Sequence, residues 1–208
     1  HATRVELGVE VEGAGDCPGR RAADDRYQES RDRSAGAGCS NPGSAAREKP
    51  KRVARKMAAI QDQLPNNHCY GCGADNNDGL QIKSHWHGDE CVCRYTPRPE
   101  QCAGPLQYVY GGLIASLIDC HSINAALSNY YRLENREIGS APEIWCVTGR
   151  LTVNDLAPTP IDADIEVRAR LDDVGERKTC VKTRVYSGDT QTAEGEVIAV
   201  RVPDSWRG

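Results

Sequence analysis

Apolar and polar residues alternate from Gly79 to Trp86, which puts Leu80, Ile82 and Trp86 on one face and Gln81, Lys83 and His85 on the other. That period of two predicts a strand. Cys91 to Tyr95, after the Gly88-Asp89 turn signal, predicts its hairpin partner, closed by Pro97 and Pro99. The period changes at Gly111. From there to Leu127 the chain is apolar around most of a helical circumference, the pattern of a buried helix, and it continues towards Tyr131. The period of two then returns. Trp145, Val147, Leu151 and Val153 are expected to share a face, and Ala163, Ile165, Val167, Ala169 and Leu171 another, against Asp164, Glu166, Arg168 and Arg170. Thr179, Val181, Thr183 and Val185 form the next run, and a last strand spans about Thr192 to Val202 after the Ser187-Gly188-Asp189 turn. Two strands, one buried helix and four strands predict an α+β protein whose antiparallel sheet curls about a central helix.

Composition changes the picture mainly at the amino-terminal end. Residues 1–56 show no sustained period, carry one aromatic residue (Tyr27) and hold 12 Lys and Arg against 9 Asp and Glu. A core cannot be built from such a segment. The single Met of the chain is Met57, so residues 1–56 read as a disordered, upstream-translated or non-native tail and 57–208 as the folded domain. The acidic residues of the tail argue against an organellar presequence. A net charge of −4 excludes a strongly basic nucleic-acid binder, and the chain has no apolar run of the ~20 residues a membrane-spanning helix needs. No nucleic-acid or membrane partner is therefore expected. The location expected is cytoplasmic, with the scattered cysteines reduced.

Candidate chemistry gathers on the helix. Gly111 and Gly112 open it, where backbone N–H groups have no intrahelical partner and the helix dipole favours a developing negative charge. Asp119, flanked by Leu117, Ile118 and Cys120, is a carboxylate in the most apolar segment, costly to bury without a partner or a task. Eight residues separate Asp119 from Gly111, or about 12 Å along a helix axis. One helix cannot bring both to the same carbonyl, so cooperation between them requires two subunits with antiparallel helices across a two-fold axis. Gln101, Gln107, His121 and Asn154 are further polar candidates, and Arg150, Arg168, Arg170 and Lys182 are candidate partners for phosphates.

The segment Tyr110-Gly111-Gly112-Leu113-Ile114-Ala115-Ser116-Leu117-Ile118-Asp119 resembles the His-Gly-Gly-x-x-x-x-Leu-x-Asp motif of hotdog-fold acyl-CoA thioesterases of the phenylacetate-pathway (PaaI-like) family. The lead-in His68-Cys69-Tyr70-Gly71-Cys72-Gly73, followed by Asp75 to Leu80, is similar to one common in that superfamily, and the likeness covers roughly residues 66 to 203. The resemblance implies a hotdog fold, a homodimer or dimer of dimers, no cofactor, and hydrolysis of an acyl-CoA to free acid and CoA. It also implies that the Gly111 and Gly112 N–H groups polarise the thioester carbonyl while Asp119 of the other subunit activates water or attacks directly. Tyr110 stands where the family pattern carries His. Its hydroxyl can hydrogen-bond substrate or water but does not change charge near neutral pH. Tyr110, His121 and Gln107 are the expected substrate contacts.

Two other readings remain open. A hotdog protein with Tyr110 could hold an acyl thioester without cleaving it. Alternatively Cys69-x-x-Cys72 and Cys91-x-Cys93, 18 residues apart, approach the spacing of a zinc ribbon. The second pair lacks the two-residue spacer and lies on one face of a predicted strand, so apolar packing is expected there and no metal ligand is assigned.

Overall fold

The computed structural model describes residues 58–207. The tail expected over residues 1–56 and the start expected at Met57 lie outside the described residues. Strands β1 (Ser84–His87) and β2 (Glu90–Tyr95) form a hairpin, helix α1 (Gly111–Leu133) follows, and β3 (Cys146–Asp155), β4 (Ile165–Val174), β5 (Lys178–Ser187) and β6 (Thr190–Arg201) complete the chain. All six strands join one antiparallel sheet in the order β1-β2-β4-β5-β6-β3. One face of it packs on α1, the arrangement predicted from the periodicity.

Helix α1 is buried along most of its length because leucine, isoleucine, alanine and small polar residues occupy nearly every direction. Leu113, Leu117 and Ile118 meet Ile165, Val167, Val181, Val185 and Val197 of the sheet in one core. Each such side chain contributes about 1.5–3 kcal/mol on full burial. The helix stops where Asn135 takes a left-handed φ of 53°. Its N–H reaches the Arg132 carbonyl at 3.1 Å, and that of Arg136 reaches the Tyr131 carbonyl at 2.9 Å, the paired bonds of a Schellman ending. Among the described residues, no helix is long and apolar enough to cross a membrane.

Two strand expectations are corrected. The strand expected from Gly79 begins only at Ser84, because Gln81 adopts a φ of 56° and breaks the extended run. Leu80 and Ile82 are still buried, but their N–H groups pair with the carbonyls of Tyr70 and Gly71 instead of a neighbouring strand. The Gln81 amide is bonded to the Gly73 carbonyl at 2.7 Å. The second correction is in β3. Val147 does not share a face with Leu151 and Val153, because the register against β6 shifts between Thr148 and Arg150. Cross-strand partners point the same way, so Thr148, opposite buried Ala199, faces the helix, as does Leu151 opposite buried Val197. Val147 faces the other side. The bulge thereby aims a hydroxyl at the helix, with consequences for the site.

Candidate active site

Asp119 lies halfway along α1, partly buried, on the stripe of the helix that the sheet leaves uncovered. Gly112, Ala115, Ser116 and Asp119 follow one another on that stripe at helical spacing, and none of them is fully buried. Burial pushes the Asp119 carboxyl above the ordinary range. A hydrogen bond donated by the Thr148 hydroxyl to Oδ1 opposes this, and the nearby Cys69 sulfur adds to the rise. The carboxylate is thus held in one orientation by β3, with Oδ2 left for another partner.

At the helix start, Tyr110 is extended (φ −71°, ψ 141°) and caps without a side-chain hydrogen bond. Its ring lies across Gly112, where an added Cβ would sit 2.5 Å from a ring carbon. A side chain at this position would have to push the Tyr110 ring aside. Gly111 is open by comparison, its nearest neighbour being the Asp155 carboxylate at 3.9 Å from an added Cβ. A groove of about 400 Å³ begins at this point, lined by Tyr108, Val109, Gly111, Ile114, Asp155 and Leu156 among others. Its volume falls within the range of small-molecule sites. The loop before the helix is anchored from below by buried Gln101, whose Nε2 donates to the Tyr95 hydroxyl at 2.7 Å and whose carbonyl accepts from the Tyr110 N–H at 3.1 Å.

The other sequence candidates are placed elsewhere. His121 is wholly buried on the sheet-facing side of α1, its Nε2 donating to the Cys91 carbonyl at 3.0 Å and its Nδ1 accepting from Ser84 Oγ at 2.8 Å. Gln61 completes the chain: its Nε2 donates to Ser84 Oγ at 2.9 Å and its Oε1 accepts from the Ser84 N–H at 2.8 Å. Burial pulls the imidazole down to about 4, so the ring is neutral where Ser84 and the Cys91 carbonyl hold it. Gln107 is exposed in the loop before the helix, where its carbonyl accepts from the Ile161 N–H. Asn154 faces outward and reaches Glu194 at 3.4 Å. The four basic candidates are paired with carboxylates, Arg150 with Glu196, Arg168 with Glu166, Arg170 with Glu90 and Lys182 with Asp172.

Two residues with a part in the site escaped the sequence reading. Thr148 carries no sequence signal, since its orientation follows from a bulge that alternation hides. Cys120 entered the sequence reading only as an apolar neighbour of Asp119, yet its Sγ lies 3.8 Å from that of Cys69. Cys91 and Cys93, the second half of the ribbon considered above, are instead buried in the core at 0% and 1% exposure. Among the described residues, Cys69, Cys72 and Cys120 are the group able to hold a metal ion. Seven cysteines of the described residues are free thiols, and Cys180 is not among them.

An antiparallel sheet on one long helix, with a carboxylate on the helix's uncovered stripe and two exposed glycines at its start, defines an α+β protein of the hotdog type. No protein-family model matches the chain, and no curated protein matches it. Solved structures do. A thioesterase superfamily protein from Shewanella loihica PV-4 is 33% identical, covers 66% of this chain and 96% of its own, and superposes with a TM-score of 0.50. The Cj0977 protein of Campylobacter jejuni, a sigma28-regulated virulence protein, shares the fold at 14% identity over 70% of this chain and 97% of its own, with a TM-score of 0.51. The PaaI protein from the phenylacetic acid degradation operon of Escherichia coli is 17% identical over 60% of this chain and 81% of its own, with a TM-score of 0.49. The chain belongs to the thioesterase superfamily.

Proposed function

We propose that this protein hydrolyses a small or medium acyl-CoA to the free acid and CoA, with Asp119 as general base or nucleophile. The observation that carries the reading is the position of Asp119: a carboxylate with a raised pKa, oriented by Thr148, on a stripe of α1 that the sheet does not cover. As a base, it takes a proton from water while the water oxygen bonds to the thioester carbon. The C–S bond then breaks and the proton passes to the departing CoA thiolate. The negative charge that builds on the carbonyl oxygen needs donors, and the N–H groups of Gly111 and Gly112 are suited to it by position and dipole.

Those donors are supplied by a second subunit on this reading, since about 12 Å of helix separates them from Asp119 in one chain. Strand β3 supports such a homodimer. It is the end strand of the sheet, ten residues long, and only Cys146 in it is buried. An edge of that length presents a row of backbone N–H and C=O groups ready to pair with a second strand. Pairing two β3 edges about a two-fold axis sets the small-residue stripes of two α1 helices side by side, antiparallel, with Asp119 of each facing the helix start of the other. A dimer of two such dimers is the larger assembly that the resemblance implies. Tyr110, over Gly112, is placed to contact the acyl group or the attacking water.

Tyr110 also favours one competing reading, a protein that binds an acyl thioester without cleaving it, because its ring shields Gly112. Thiol release measured across a panel of acyl-CoAs separates the two. Hydrolysis is expected for the wild-type protein and a loss of orders of magnitude for Asp119→Asn. Saturable binding with no thiol release from any acyl-CoA would establish the binding protein instead.

A further inference from the structure

The loop Cys69-Tyr70-Gly71-Cys72-Gly73 folds into a tight knuckle against α1. The Gly73 N–H donates to the Cys69 carbonyl at 2.8 Å. A Cβ at Gly73 would lie 2.4 Å from the Asn67 carbonyl oxygen and 2.5 Å from the Cys69 nitrogen, so only glycine closes this turn. Gly71 is required for a different reason. A Cβ there would lie 2.3 Å from Cys120 Sγ, which shows how closely the loop wraps the helix sulfur.

The result is three sulfurs from two distant parts of the chain, all within 4.8 Å of one another. The Cys69 and Cys120 sulfurs are 3.8 Å apart. That distance is the edge of a tetrahedron whose centre lies about 2.3 Å from each corner, the length of a zinc–thiolate bond. The remaining separations need shorten by no more than about 1 Å to fit the same tetrahedron. Asn124 donates to Cys72 Sγ at 3.3 Å and to the Cys120 carbonyl at 2.8 Å, an outer-sphere contact that fixes a sulfur in place. Cys69 itself is exposed, so apolar packing does not account for it.

We propose that Cys69, Cys72 and Cys120 form a three-thiolate site for a soft divalent cation of the zinc type, whose fourth position opens to solvent beside Cys69. Zinc binding displaces thiol protons, so affinity rises with pH. The site does not depend on the hydrolase reading, because it is read by metal uptake and not by turnover.

The test uses the full chain, reduced, stripped with a chelator and titrated with Zn(II) against a chromophoric competitor, with Co(II) as a spectroscopic probe. One Zn(II) per chain is expected, and the Co(II) form should show a thiolate charge-transfer band with tetrahedral ligand-field bands. Cys120→Ser should weaken Zn(II) by more than the roughly 10- to 100-fold that loss of an outer-sphere partner costs. Asn124→Ala should fall within that smaller range, and Cys102→Ser should leave affinity unchanged. Substoichiometric uptake by the wild-type chain, or a Co(II) spectrum without the thiolate band, overturns the proposal whether or not any variant folds. Wild-type affinity in a folded Cys120→Ser protein overturns it too. So does a purified protein with a Cys69–Cys120 disulfide that takes up no Zn(II) after reduction.

Discussion

Replacing His121 by Gln isolates what the buried imidazole does to stability as a function of pH. In the folded protein the ring is neutral, bonded to Ser84 and to the Cys91 carbonyl, and burial pulls its pKa down to about 4. In the unfolded chain it titrates near 6.5. Above pH 6.5 both states carry the neutral ring and His121 contributes no pH dependence. As the pH falls from 6.5 to 4, the unfolded state takes up a proton that the folded state refuses, so the folded form loses stability steadily across that window. At 1.36 kcal/mol per unit, the loss amounts to about 3 kcal/mol by pH 4. For a domain of this size it corresponds to a fall in Tm of roughly 10 °C. Gln does not titrate and retains a donor and an acceptor for the same two partners. Thermal or urea unfolding of both proteins between pH 7 and 4 should therefore give curves that diverge at neutral pH by a constant and then converge by about 3 kcal/mol as acid is added. Parallel curves across that window would refute the buried, neutral assignment.

Two further outcomes follow from the site and the sheet edge. Thr148→Val removes the donor to Asp119 while keeping the side-chain shape, and hydrogen bonds to charged groups are worth about 1.5–3 kcal/mol, so kcat/KM for thioester hydrolysis should fall roughly tenfold or more. Thr148→Ser should restore most of it, whereas equal loss in both variants would mean that the hydroxyl plays no part. Leu151→Arg places a charge on the helix-facing side of the exposed β3 edge. Sedimentation should show a shift from dimer to monomer with the far-ultraviolet dichroism unchanged, and a dimer as tight as wild type would place the interface elsewhere.

Much of the architecture was legible because long elements repeat their pattern. The α1 apolar run, the Ile165-Val167-Ala169 alternation and the Val181-Thr183-Val185 alternation each have burial on one period over many residues, and all appear where the pattern put them. Legibility failed where a single residue shifts the phase. Gln81, at positive φ, ends the alternation that made Gly79 to Trp86 resemble a strand, and the shift between Thr148 and Arg150 reverses the faces of β3. Candidate chemistry followed the same division. Asp119, Gly111 and Gly112 sit on one continuous helix and could be placed by counting. Thr148 meets Asp119, and Cys69 meets Cys120, only through contacts between separate parts of the chain, which no local period encodes. The burial of His121 was hidden for a related reason: Ser84 and Gln61 come from a distant segment to satisfy its ring.

The most direct test of a site shared between two chains is complementation. Gly111→Pro deletes the proposed N–H donor at the first helical position, where proline is well tolerated, and Asp119→Asn removes the base. Each variant alone should release CoA at least about 100-fold more slowly than wild type. When the two are mixed and allowed to exchange subunits, half of the dimers are mixed, and each mixed dimer regains one of its two sites. The account predicts recovery of about a quarter of wild-type thiol release. A mixture that exchanges subunits yet stays as inactive as its components would contradict it.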